Sequence, residues 1–218
     1  MIRDNIEAIR GKLPSGVCLV AVSKFHPVGA VSEAYEAGQR VFGESRPQEL
    51  AAKAPELPAD IEWHFIGHLQ TNKLKMVLPH VSMVESVDSL HLLQEIDKWG
   101  RAADRRVPVL LELHIAAEET KQGFYEEEVL EILFDADKFP GVRFCGLMGM
   151  ATNTDDADLV RADFARIKAF WDYLKDLFPE YQDFRELSIG MSGDWQIALE
   201  YGATIVRIGT AIFGERKQ

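Results

Sequence analysis

Short apolar runs alternate with longer amphipathic stretches along the whole chain, and this alternation sets the first expectation. Val17-Cys18-Leu19-Val20-Ala21-Val22 is continuous and rich in β-branched residues, the pattern of a strand buried on both faces. Val31, Ala34 and Ala37 follow at helical spacing. Further strand-like runs occupy residues 40–43, 61–66, 81–87, 107–115, 142–148, 185–189 and 204–208. The segments between and after them read as helices over 48–54, 73–77, 90–103, 125–137, 155–177, 194–201 and 210–213. Asp88 or Ser89 can cap the helix that opens at Leu90, by accepting from its free backbone N–H groups.

The expected strands end near residues 23, 43, 66, 87, 115, 149, 189 and 208. The mean step of about 26 residues holds one strand, one helix and two loops. Eight such units read as an α/β fold, a (β/α)8 TIM barrel, with residues 1–218 forming a single domain. An extra N-terminal helix over 2–12 precedes the first strand and is placed to cap the barrel bottom. An open doubly wound sheet has the same strand count and stands as the alternative.

Composition narrows the partners. The 218 residues are 47% hydrophobic and 27% charged, enough for one substantial core. The net charge of −11 argues against a nucleic-acid binder, which needs cations to displace counterions from phosphates. It leaves room for a small anion held by a few local donors. No apolar run reaches the roughly 18 residues of a membrane span, and the charged N-terminus has no apolar signal core. Cys18 and Cys145 each lie in an apolar run and read as two buried thiols, which places the chain in the cytoplasm. CxxC and HExxH spacings are absent, so no metal is expected.

In a barrel, chemistry gathers at the C-terminal ends of the strands. Lys24 stands at the end of the first strand, after an apolar run. A desolvated lysine loses part of its preference for the charged form, and its neutral amine can attack a carbonyl. The plainer alternative is a lysine that ends a strand and reaches water. At the other end of the chain stand Ser188-Ile189-Gly190-Met191-Ser192-Gly193 and Arg207-Ile208-Gly209-Thr210. Loops after strands seven and eight usually build a barrel's phosphate site, glycines letting amides approach and hydroxyls adding donors. An amine opposite an anion cradle suits a phosphate-bearing carbonyl compound: pyridoxal 5′-phosphate (PLP), or equally the substrate of a Schiff-base aldolase. Arg207 is a lone cation in the run Thr204-Ile205-Val206-Arg207-Ile208. It needs an acceptor, which the PLP ring nitrogen or a glutamate such as Glu112 would provide. His64 and His68 are four apart, but Gly67 breaks the helical geometry that would bring both to one metal.

Several segments carry a resemblance. They are Ala21-Val22-Ser23-Lys24, Phe42-Gly43-Glu44-Ser45, residues 63–73, Ser86-Val87-Asp88, Gly146-Leu147-Met148, residues 187–192 and residues 206–214. In this order they resemble the pyridoxal phosphate homeostasis proteins (the YggS/PROSC-like group), which share the alanine racemase N-terminal-type barrel. The resemblance implies that Lys24 holds PLP as a Schiff base. It also implies that Ser192, Gly209 and Thr210, with Ser188, hold the phosphate and that Arg207 faces the ring nitrogen. Met148 and Ser45 belong to the same cofactor site. The implied function is intracellular PLP (vitamin B6) and amino-acid homeostasis without catalytic turnover, with PLP-dependent apo-enzymes as partners. A single-domain PLP-dependent amino-acid racemase is the alternative.

The sequence departs from the family pattern at Ser45, where asparagine is common, at His114 and Ala117, where asparagine and glycine are usual, and at Gly149-Met150-Ala151. Glu118, Lys121 and Gly123 keep it. A racemase draws a second base from an additional β domain of a partner subunit. The sequence extends only ten residues past Ile208, so the expectation is a monomer with one base, an open mouth and slow chemistry at the substrate α-carbon.

Overall fold

The computed structural model describes residues 1–117 and 122–215. Its centre is a closed parallel barrel in which each strand pairs with the next in sequence and the eighth returns to the first. The strands are β1 (Cys18–Val22), β2 (Val41–Glu44), β3 (Glu62–Phe65), β4 (Val81–Val87), β5 (Val107–Leu113), β6 (Val142–Gly149), β7 (Glu186–Ser188) and β8 (Ile205–Ile208). Closure decides against the open sheet. Each expected strand is present, with its ends moved by no more than about two residues, the ordinary uncertainty of such boundaries.

The helices are α1 (Ile2–Arg10), α2 (Val28–Glu36), α3 (Pro47–Lys53), α4 (Leu74–Val77), α5 (Leu90–Ala102), α6 (Glu126–Phe134), α7 (Ala157–Leu177), α8 (Trp195–Glu200) and α9 (Thr210–Phe213). Ser89 is the cap of α5, its side chain accepting from the Leu92 amide at 3.3 Å. Asp156 does the same for α7, accepting from Asp158 and Leu159. The N-terminal helix does not lie across the barrel bottom. It packs along the flank on α2 and α9, burying Ile2, Ile6 and Ile9. Asn5 donates to the Ile212 carbonyl at 2.8 Å, and Arg10 to Gly38 at 2.9 Å. The apolar stripe of α1 is one-sided, so it needs a wall to cover rather than a hole to plug.

The core has two compartments. The larger fills the space between the barrel wall and the helices. The smaller lies inside the barrel and consists of Val20, Leu110, Cys145, Met148 and Ile205, with Cys18, Val41, Met83 and Met150 packed against it. Both cysteines are free thiols; Cys145 is buried as expected, whereas Cys18, at the start of β1, is only half-buried. Burial pushes Cys18 up to about 12 and Cys145 up to about 11, so neither is a nucleophile at neutral pH. In the strand register, polar residues follow this apolar plug toward the strand ends: Glu85 on β4, Glu112 on β5, Ser188 on β7 and Arg207 on β8, all buried.

Candidate cofactor site at the barrel mouth

Lys24 occupies the turn between β1 and α2 and is half-buried. Its neighbours are fixed on both sides. The Ser23 amide donates to the Gly43 carbonyl at 3.0 Å, continuing the sheet, and the Ser23 hydroxyl donates to Glu44 Oε1 at 2.7 Å. Phe25 adopts φ +66°, uncommon for a non-glycine residue. Its amide donates to Glu49 Oε2 at 2.8 Å, and the Arg46 guanidinium lies 5.1 Å from its ring centre. His26 stacks on Phe213, ring centres 4.8 Å apart. That stack joins the lysine-bearing turn to α9, at the far end of the chain.

The β8–α9 junction sits against the same place. A Cβ on Gly209 would lie 3.2 Å from the Val22 carbonyl oxygen, so only a residue without a side chain fits comfortably beside β1. The Gly209 amide donates to Ser192 Oγ at 3.2 Å, which brings the β7–α8 loop to the start of α9. Gly190 turns that loop at φ +92°, where an added Cβ would also meet Trp195 Cα at 2.9 Å. Thr210 and Ala211, at the head of α9, are exposed. Lys24, Ser192, Gly209 and Thr210 therefore stand on neighbouring loops at one end of the barrel.

Arg207 is buried within the barrel. Nη1 donates to the Ser188 carbonyl at 2.9 Å and to Ser188 Oγ at 2.5 Å, and Nη2 donates to the Gly149 carbonyl at 3.0 Å. Its ionic partner is Glu85 at 3.8 Å, not Glu112. The Ser188 hydroxyl passes its proton donation on to Glu85 Oε2 at 2.5 Å, and His64 Nδ1 lies 2.6 Å from Glu85 Oε1. Burial alone would raise the Glu85 carboxyl, but the His64 bond and the charges of His64 and Arg207 outweigh it and hold it below the usual range. Glu112 goes the other way: burial, reinforced by Asp88, pushes it up to about 7 against the opposing pull of Arg207 and His68.

Met148 is fully buried in the barrel interior, in register with Glu112 and Ser188. Ser45 is half-buried against the main chain of β3's loop: a Cβ on Gly67 would come within 2.5 Å of it. A cavity of about 550 Å³ opens beside Met191, Gly193 and Asp194, facing the β6–α7 loop at Met150 to Asp155. Among the departures from the family pattern, His114 lies edge-on to Tyr125 and the Ala117 amide donates to Thr152 Oγ1. Glu118 and Lys121 lie outside the described residues.

Three buried polar residues, Glu85, His64 and Lys53, were not singled out from sequence. Glu85 carried a readable signal, being a lone carboxylate in the apolar strand Val81–Val87, the mirror of Arg207 in β8. His64 was weighed only as a partner of His68. The structure instead gives each its own carboxylate, Glu85 for His64 and Asp88 for His68. Lys53 left no signal, because a seven-residue helix is too short for its pattern to say that one lysine turns inward.

A parallel barrel with an amine after its first strand, and hydroxyls and a helix start after its last two, is the racemase-type barrel. The family model described as "Alanine racemase, N-terminal domain" matches residues 1–217. A pyridoxal phosphate homeostasis protein of Vibrio alginolyticus is 38% identical over 230 residues, covering 99% of this chain and 97% of its own. The chain belongs to the alanine racemase N-terminal domain family and, within it, to the pyridoxal phosphate homeostasis proteins. Two solved structures of PipY from Synechococcus elongatus PCC7942 are 36% identical and cover 98% of this chain and all of their own. The one without PLP superposes with a TM-score of 0.93, the one with PLP bound with 0.89. An alanine racemase from Streptomyces coelicolor shares the fold alone, at 19% identity and a TM-score of 0.73, covering 98% of this chain and 57% of its own.

Proposed function

We propose that this chain holds PLP at the mouth of its barrel and serves vitamin B6 and amino-acid homeostasis rather than a catalytic turnover. The observation that carries the reading is the meeting of the two chain ends: the lysine turn stacks on α9, and Ser192 bonds the residue that starts it. The donor set fits the cofactor. Ser192 and Thr210 offer hydroxyls, and Gly193 leaves open space, with no atom within 4 Å of where its Cβ would lie.

When bound, the cofactor supplies an aldehyde and an electron-withdrawing ring. Lys24 provides the amine for its covalent attachment. Ser192, Gly209 and Thr210 grip the phosphate. Ser188 has its hydroxyl engaged between Arg207 and Glu85, so we assign it to holding Arg207 in place rather than to the phosphate. Arg207 has donors only and stays protonated, so it meets the ring nitrogen as a donor and delivers no proton there. Among the described residues no acceptor takes its Nε, which leaves that N–H for the ligand. Met148 lines the wall beside Ser188, and Ser45 shapes the side toward β3. A ring whose nitrogen gained no proton from its donor would be a weak electron sink, and a carrier needs no more.

The remaining parts of this reading concern setting. Residues 1–218 act as one domain and as a monomer, releasing PLP to apo-enzymes in the cytoplasm. Two free thiols support the reducing compartment, and no described helix is long and apolar enough to cross a membrane. The test is spectroscopic. Purified protein mixed with PLP is expected to show imine absorption, and borohydride reduction to leave a pyridoxyl mass on Lys24. Lys24→Ala is expected to abolish both; an unchanged spectrum in that variant refutes the assignment. Chiral analysis of alanine and serine after incubation with the loaded protein tests the racemase alternative, and turnover at ordinary enzyme rates would replace the carrier reading.

A further inference from the structure

Lys53 is a buried cation with no part in the site so far. It lies at the last position of α3 and is 6% exposed. Its ammonium has three donors, and each has a different acceptor. Nζ donates to the Ser23 carbonyl at 2.9 Å, to Glu44 Oε1 at 2.7 Å and to Glu49 Oε2 at 3.1 Å. These acceptors belong to the Lys24 turn, to β2 and to α3. The two carboxylates then reach back to the same turn, Glu44 taking the Ser23 hydroxyl and Glu49 the Phe25 amide.

We propose that Lys53 is a positioning residue for Lys24: with Glu44 and Glu49 it clamps the residues on both sides of the anchoring amine. Of the three residues Ser23, Lys24 and Phe25, the outer two are tied to the network, which fixes the main chain on both sides of Lys24. The clamp also explains the backbone. A non-glycine residue at φ +66° persists where surrounding bonds hold it, and the Phe25 amide bond to Glu49 is one such bond. Stability alone would not select this arrangement, because a buried ion cluster is often matched by apolar residues of similar volume. Directional bonds to one turn are what an apolar replacement cannot supply. Such pre-organisation raises affinity by removing the cost of ordering the turn on binding.

This inference rests on the reading that Lys24 carries PLP, and the experiment separates the two. PLP is titrated into wild type, Lys53→Met and the double variant Glu44→Gln/Lys53→Met, following imine absorption and its rate of appearance, with thermal midpoints measured alongside. Lys53→Met is expected to weaken PLP binding by about tenfold, to slow imine formation and to lower the midpoint. The double variant, which removes the buried carboxylate left without its cation, is expected to recover the midpoint while its affinity stays low. A folded variant of either kind that binds PLP within twofold of wild type, at the wild-type rate, overturns the proposal. Where neither folds, Glu49→Ala at its half-buried position decides in the same way: weaker binding supports the clamp and unchanged binding overturns it. If wild type forms no imine, or Lys24→Ala keeps it, the fault lies with the proposed function and not with Lys53.

Discussion

Two buried carboxylates on neighbouring parts of this barrel, Glu44 and Glu85, are both 0% exposed, yet their proton affinities move in opposite directions. Glu85 points into the barrel, where His64 meets one oxygen, Ser188 donates to the other and Arg207 stands 3.8 Å away. Glu44 lies under α3, where Lys53 and Ser23 both donate to Oε1 and Oε2 has no partner among the described residues. Desolvation is the largest influence on each and raises both; Lys53 and Ser23 pull Glu44 only part of the way back, whereas the donors around Glu85 carry it below the usual range. Equal burial therefore does not mean equal charge state. What decides is how many lone pairs are met and by how much positive charge.

The comparison gives an ordered set of mutations. Glu85→Ala leaves Arg207 buried without its counter-charge and removes an acceptor from both His64 and Ser188. It is expected to cost about 3–5 kcal/mol, the range for breaking a buried ion pair. Glu44→Ala leaves Lys53 with Glu49 and the Ser23 carbonyl. Its expected cost is smaller, about 1–3 kcal/mol, the penalty of lost hydrogen bonds. Urea denaturation at neutral pH measures both, and equal losses would break the distinction between the inner and outer networks.

Glu112 sharpens the picture through pH. Its folded-state pKa of about 7 lies above the ordinary carboxyl value of 4.5. Between those two values the folded protein holds a proton that the unfolded chain has released. Stability from this group is therefore full below pH 4.5, falls as pH rises toward 7 and stays low beyond. The shift corresponds to a cost on the order of 3 kcal/mol above pH 7. Glu112→Gln is expected to remove that decline, matching wild type near pH 4 and exceeding it above pH 7. Parallel stability curves for the two proteins across this range would show that Arg207 already neutralises Glu112. Glu85 acts in the opposite window, its contribution being present above the ordinary value and lost as pH falls below it.

How far this site was legible follows from where each charge stands. Lys24 and Arg207 were readable because each interrupts or ends an apolar run, and the closed barrel brings Lys24's strand beside Arg207's through the pairing of Val20 with Arg207. The barrel itself was readable from the alternation of runs, down to the three-residue strand β7. The partner of Arg207 was not, because choosing Glu85 over Glu112 needs the strand register, and β4 and β5 shift register between Val84 and Val87. Lys53 was illegible for another reason. Its burial depends on how α3 is rotated against β2, and a seven-residue helix has too few turns for a periodicity to show which face is covered. The N-terminal helix was read correctly as a helix but placed wrongly. An amphipathic stripe says that one face is covered, and not by what.

Ser192 offers the smallest and cleanest effect, since it separates binding from folding. It is half-buried in the β7–α8 loop, where its hydroxyl accepts from the Gly209 amide at a long 3.2 Å. Losing that bond to solvent costs the fold little, because the amide lies at a half-exposed helix start where water can replace the hydroxyl. In the loaded protein the same hydroxyl is proposed to turn toward the phosphate, and a hydrogen bond to a charged group contributes about 1.5–3 kcal/mol. Ser192→Ala is therefore expected to leave the thermal midpoint within about 2 °C of wild type. PLP binding, titrated by imine absorption, is expected to weaken by roughly tenfold or more. The imine itself should still form at saturating PLP, because Lys24 and its clamp are untouched. A variant that binds as tightly as wild type would move the phosphate away from the β7–α8 loop. That would leave the start of α9, beside Val22, as the principal grip on the anion.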